Sequence, residues 1–130
     1  MINAICHGGA VTIAVPDTPA SVTDCNCSIC RRYGVLWAYY NAADVVVSAM
    51  ADATDRYAWG DRTIGFVRCR NCGCITHWEA ARHGVDNRIG INARNFEPGM
   101  LAAARIRRLD GASTWNYLDE EPGGDPADRS

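Results

Sequence analysis

The chain has 130 residues, a net charge of −2, and thirteen basic side chains that are all arginine, which fits one domain with a modest core. The absence of lysine excludes Schiff-base chemistry, a pyridoxal-phosphate anchor and a Walker-type phosphate loop, and the near-neutral balance argues against non-specific nucleic-acid binding. Apolar stretches are short, Val45-Val46-Val47 among them, so neither a bilayer-spanning segment nor a secretory leader is expected, and the predicted location is the cytoplasm, with thiols reduced.

In chain order, most of the sequence alternates with a period of two, the signature of half-buried strands. Val11, Ile13 and Val15 make one face of a strand that ends at Pro16. Ser28 to Tyr33 reads as a helical turn, Val35 to Tyr40 as an aromatic, β-prone stretch, and Val45 to Ser48 as another strand. Arg56 to Trp59 is a short strand closed by Gly60-Asp61; Ile64 to Arg68, Ile75 to Glu79 and Arg88 to Ala93 follow. Pro98 is placed where a first helical turn tolerates it, and Met100, Leu101 and three alanines come next, which predicts a short helix over 98–104. Arg105, Arg107 and Arg108 read as a solvated strand or helix edge. From Asp119 the sequence becomes acidic and rich in proline and glycine, predicting a compact, mainly β domain over 1–118 and a flexible acidic tail over 119–130.

The chemistry is concentrated in seven cysteines: Cys6, then Cys25, Cys27 and Cys30, then Cys69, Cys72 and Cys74. Thiolates at spacings of two and three converge on one tetrahedral metal, and zinc is the first expectation. Structural zinc takes four protein ligands, whereas catalytic zinc keeps three and an open position. Seven divides as four plus three: Cys6, Cys69, Cys72 and Cys74 as a closed site, and Cys25, Cys27 and Cys30 as an open one. A single site with spare thiols and an iron–sulfur cluster use the same residues. A disulfide framework is disfavoured because neighbours two apart pair badly. A redox pair is disfavoured because each Cys-x-x-Cys carries an extra cysteine and lacks a βαβ setting.

The order Cys6-His7-Gly8-Gly9, then Cys25-x-Cys27-x-x-Cys30-Arg31-Arg32, then Cys69-x-x-Cys72-Gly73 resembles the glutathione-dependent formaldehyde-activating enzyme family, which includes centromere protein V. The likeness runs to about Asp119. It implies a zinc-stabilised β-sheet fold related to Rab accessory factors, with two zinc ions: a structural one shared by the first and last cysteine turns, and a second, more labile one with an open position on the middle triplet. In this chain Gly8 replaces the second cysteine of the first turn, and Cys74 is the candidate replacement ligand, set against a buried apolar thiol with His7 or water completing the shell. The implied activity is that of a carbon–sulfur lyase, joining a thiol such as glutathione to a small aldehyde or cleaving the adduct, with Cys25, Cys27 and Cys30 at its centre.

Helpers are read from the residues themselves. Arg31 and Arg32 follow the triplet and are candidates to grip a substrate carboxylate. His77 is a candidate general acid/base, against the reading of a packed strand histidine. Tyr33, Trp37, Tyr39 and Tyr40 are read first as core and second as pocket wall. A zinc-stabilised binding module without catalysis is the alternative function, and a metal-free redox-sensing thiol cluster ranks below both.

Overall fold

The computed structural model describes residues 1–82 and 84–120 and contains two sheets. Strands β1 (Ile2–Ile5), β2 (Val11–Val15) and β5 (Val46–Ala49) form an antiparallel three-stranded sheet in the order β1-β2-β5. The larger sheet contains β3 (Ser21–Cys25), β4 (Trp37–Asn41), β6 (Thr54–Tyr57), β7 (Ile64–Cys69), β8 (Ile75–Ala80), β9 (Arg88–Asn92) and β10 (Arg105–Leu109). Its order is β10-β3-β4-β9-β8-β7-β6, antiparallel except for the parallel β10–β3 pair at one edge. One short helix, α1 (Cys30–Tyr33), follows β3. The mainly β, single-helix expectation holds, and none of the described helices is long and apolar enough to cross a membrane.

Alternation along the strands gives the larger sheet two different faces. On one, Ala38, Ile89 and Ile91 pack with Val11, Ile13 and Val15 of the small sheet, and Cys6 and Cys69 belong to the same core. On the other, Trp37, Phe66 and Trp78 form a second core with Val35, Leu109 and Tyr117, and Cys25 and Cys30 belong to it. Burying each large apolar side chain in these cores contributes about 1.5–3 kcal/mol. Tyr39, Gly90 and Trp78 lie side by side across β4, β9 and β8. A Cβ on Gly90 would collide with the Trp78 indole, so the missing side chain is what lets that ring lie on the sheet.

Three departures from the sequence expectation have physical causes. The helix predicted over 98–104 is a 3-10 turn at Pro98–Leu101: Met100 and Leu101 pack onto the first core, and the chain is drawn into β10 at Arg105, whose N–H bonds the Ala20 carbonyl. Too few residues remain to repay helix nucleation. Strands β1, β3 and β10 lack a clean apolar alternation. In β3 the buried Thr23 hydroxyl is satisfied by the Tyr117 hydroxyl at 3.0 Å, and β10 is an edge strand whose charges suit that position. The first two residues of the expected tail are held: Glu120 takes two bonds from Arg107, each 2.8 Å, and Asp119 takes two from Arg108 at 2.9 and 2.7 Å. The rest of that tail, 121–130, lies outside the described residues.

Candidate metal centres

All seven cysteines are free, and six of them gather into two triads. The sulfurs of Cys6, Cys69 and Cys72 lie within 4.8 Å of one another, and so do those of Cys25, Cys27 and Cys30. The triads lie in different cores, hence on opposite faces of the larger sheet.

The first triad is built from two tight turns. After β1, the Gly9 N–H bonds the Cys6 carbonyl at 3.0 Å; after β7, the Gly73 N–H bonds the Cys69 carbonyl at 2.9 Å. Both glycines have positive φ, 83° and 79°, the left-handed conformation such turns require. Backbone donors face the sulfurs: Val11 N–H lies 3.3 Å from Cys6 Sγ, and the N–H groups of Cys74 and Gly8, with the sulfurs of Cys74 and Cys69, draw the Cys72 thiol down to about 6. Burial pushes the Cys6 thiol up. Cys74 interacts with Cys72 but stands outside the mutual 4.8 Å set, and His7 is exposed. At Gly8 an added Cβ would lie 3.1 Å from Cys72 Cβ and 3.6 Å from its sulfur, so the first turn passes close beside Cys72 and supplies the sulfur of Cys6 but no second one at position 8.

The second triad spans a strand end and a helix start. Cys25 closes β3, paired in parallel register with Leu109 of β10, and Cys30 opens α1. Asn26 ties the intervening turn to the loop after β10: its amide donates to Asp110 Oδ1 at 3.1 Å, and its carbonyl oxygen accepts from Ala112 N–H at 3.0 Å. That loop presses on the sulfurs. A Cβ on Gly111 would lie 2.5 Å from Cys25 Sγ and 3.2 Å from Cys27 Cβ. The Cys30 N–H faces Cys27 Sγ at 3.4 Å, and the indole N–H of Trp37 donates to Cys30 Sγ at 3.3 Å.

The electrostatics of this triad are compatible with a cation. Hydrogen bonds from Cys25 and Cys30 hold the Cys27 thiol well below its ordinary range, while interactions with its neighbours push Cys25 and Cys30 up. One thiolate is thus favoured alone, and three so close together are stable only beside a positive ion. Three converging sulfurs with N–H donors at two of them fit a soft dication such as zinc.

The second triad opens into a cavity of about 570 Å³ to which Cys25, Cys27 and Cys30 all contribute. Trp37, Phe66 and Trp78 wall it from the sheet, and Trp59 and Trp115 from flanking loops. Its charged lining groups are Asp61 and Asp86. Asp61 accepts bonds from the Thr63 N–H and hydroxyl, and Asp86 is bonded by Arg88. A shallower depression adjoins, sharing Ser28, Ile29 and Trp59 with the cavity and adding Arg32, Tyr33 and Tyr57.

The other sequence candidates are distributed unevenly around this site. Arg32 lies in the neighbouring depression, its guanidinium donating to the Ser28 carbonyl at 2.7 Å, and Arg31 is exposed. His77 pairs with Val67 and Ile91 on the sheet face opposite the cavity. It is 2% exposed, with Nδ1 2.8 Å from the Thr76 hydroxyl and Nε2 3.3 Å from Glu79. It therefore holds a buried polar network rather than facing the triad. Trp37 both fills the core and walls the cavity; Tyr39 packs on Trp78, and Tyr40 donates to the Asp17 carbonyl. Sequence reasoning passed over Trp59, Trp78 and Trp115 as cavity walls. The available signal was Trp59 beside the turn-forming Gly60-Asp61, and Trp115 among small and polar residues, settings where a core role is unusual.

This is a β-sheet protein that carries a cysteine triad on each face of its main sheet, each able to hold a metal ion, and one of the triads lines a cavity. The sequence profile of the glutathione-dependent formaldehyde-activating enzyme family matches residues 1–105, and the chain belongs to that family. Among solved structures, it is similar to a Rhodobacter sphaeroides protein known from its crystal structure, with a TM-score of 0.66 and 31% identity over 81% of this chain and 99% of that one. No curated protein matches significantly.

Proposed function

We propose that the chain is a zinc-dependent carbon–sulfur lyase that joins a small thiol, such as glutathione, to an aldehyde, or cleaves the adduct, at Cys25, Cys27 and Cys30. The observation that carries this reading is the placement of three mutually close sulfurs at the base of a sizeable cavity. Zinc held by this triad would supply Lewis acidity and lower the pKa of an incoming thiol. The triad's own part is to hold three sulfurs ready for one cation, with the Trp37 indole and the Cys30 N–H steadying two of them. The apolar rings lower the local polarity, which strengthens polar interactions at the triad. Arg32, in the depression next to the cavity, is placed to take a carboxylate of the thiol.

The chemistry is redox-neutral. The thiol gives up its proton, the sulfur lone pair forms the bond to the aldehyde carbon, and the carbonyl π pair moves to oxygen, which takes up a proton; cleavage runs in reverse. The first triad serves stability: Cys6, Cys69 and Cys72 bind a structural zinc, with Cys74, the thiol beside Cys72, as the proposed fourth ligand.

The alternative, a binding module stabilised by zinc, calls for a middle triad that no cavity reaches. Opening of that triad into a cavity supports the enzyme instead. The test is exchange NMR of glutathione and formaldehyde with zinc-loaded protein. Faster adduct exchange, lost in Cys27→Ser, is the expected result; exchange at the uncatalysed rate contradicts it.

A further inference from the structure

We propose that the cavity above Cys25, Cys27 and Cys30 takes the ring of an aromatic aldehyde, making such an aldehyde, rather than formaldehyde, the preferred substrate. The inference rests on the lyase reading above and names its substrate class.

Formaldehyde is one carbon and one oxygen, so space beside the sulfurs serves the thiol or a larger aldehyde, and the chemistry of the walls decides between them. The space here is about 570 Å³, within the roughly 300–1,000 Å³ of pockets that enclose drug-sized ligands. Five aromatic side chains line it, four of them tryptophans. Trp37 and Trp78 are fully buried at the sheet, whereas Trp59 and Trp115 remain 46% and 44% exposed. Exposing two large indoles at the rim of one cavity costs solvation unless a partner covers them. Offset and edge-to-face packing against such rings favours another aromatic group.

Charge narrows the class further. No lysine or arginine lines the cavity, and its two carboxylates, Asp61 and Asp86, disfavour an anionic guest. The nearby arginines are engaged with other partners: Arg88 bonds Asp86 and stacks on Tyr39 at 5.2 Å and Trp78 at 5.9 Å, and Arg32 lies in the adjoining depression. The aldehyde's body is therefore neutral, and a carboxylate-bearing thiol keeps its charges at the rim near Arg32.

Trp115 is a specificity element in its own right. It lies beyond residues 1–105, the part of the chain matched by the family profile. Its φ is 60°, a conformation rare for a bulky residue, and the surrounding loop holds it there: Trp115 N–H bonds the Asp110 carbonyl at 2.8 Å, and Asp110 binds the Thr114 hydroxyl at 3.0 Å. The same loop places Gly111 against Cys25 and Cys27, so the indole is positioned relative to the sulfurs by the backbone.

The test uses full-length, zinc-loaded protein and has two arms. In the first, benzyl alcohol, an unreactive stand-in, is titrated against tryptophan fluorescence with n-propanol as control. Saturable binding at least tenfold tighter than n-propanol, weakened fivefold or more in Trp59→Ala and Trp115→Ala, is expected. In the second, kcat/KM is compared for benzaldehyde and formaldehyde with glutathione. A ratio above ten that falls in both variants is expected, with Cys27→Ser losing turnover of both aldehydes while still binding benzyl alcohol. Absence of saturable benzyl alcohol binding, or a preference for formaldehyde that the tryptophan variants leave unchanged, overturns the aromatic assignment and leaves the lyase reading intact. No turnover of either aldehyde overturns the lyase reading, and the cavity's preference is then decided by the titration alone.

Discussion

Gly111 is where a single atom decides most. An alanine Cβ there would meet Cys25 Sγ at 2.5 Å, and because backbone bonds through Asn26 fix both sides, the sulfur rather than the loop must give way. Gly111→Ala is expected to lose about one equivalent of zinc per chain by elemental analysis while retaining wild-type far-UV circular dichroism; unchanged zinc content would show that the loop yields instead. At this scale the sequence was most legible for cysteine, because spacing alone brings thiolates together. It was least legible for His77 and Arg31. A strand histidine beside a cysteine turn can lie on either face, and the β-bulge between Val67 and Arg68, invisible in composition, shifts the register there.

At the scale of elements, β10 and the loop after it deserve the weight that the family match gives to the earlier strands. Leu109 is fully buried, pairs with Cys25, and anchors the second core. Leu109→Ala is expected to cost about 2–5 kcal/mol by the transfer and cavity terms, measured by urea denaturation, with the metal at the second triad lost before global unfolding. Arginine-rich β10 reads as a solvated strand or helix edge and no further, because its alternation is masked by charge; pairing of Arg107 with Glu120 and Arg108 with Asp119 is a tertiary fact. Across β6 and β8, the hydrogen bond from His77, with a smaller contribution from the charge of Arg56, holds the Glu79 carboxyl below its usual range. A depressed carboxylate stabilises the fold above its unfolded pKa of about 4.3, and that contribution is lost as pH falls through the lower folded value. The fall in stability below about pH 4.3 should be shallower in Glu79→Gln, as read by thermal melts across pH; an identical acid limb in both proteins would contradict this.

For the whole molecule, the larger sheet separates two jobs. One face encloses Cys6, Cys69 and Cys72 between the sheets, and the other presents Cys25, Cys27 and Cys30 to a cavity. The division into two cysteine groups and the mainly β fold could be read from the chain because both are local patterns. The assignment of each group to a face could not, since it follows from strand order across the sheet, and the cavity could not, since its walls come from stretches of chain far apart in sequence. The central claim is that the second triad holds a metal with a position left for a thiol. Cobalt substitution followed by titration with glutathione tests it directly. Two cobalt ions per chain are predicted, with thiolate-to-metal absorption that intensifies as glutathione binds and a response that disappears in Cys27→Ser; a spectrum indifferent to glutathione would contradict the account.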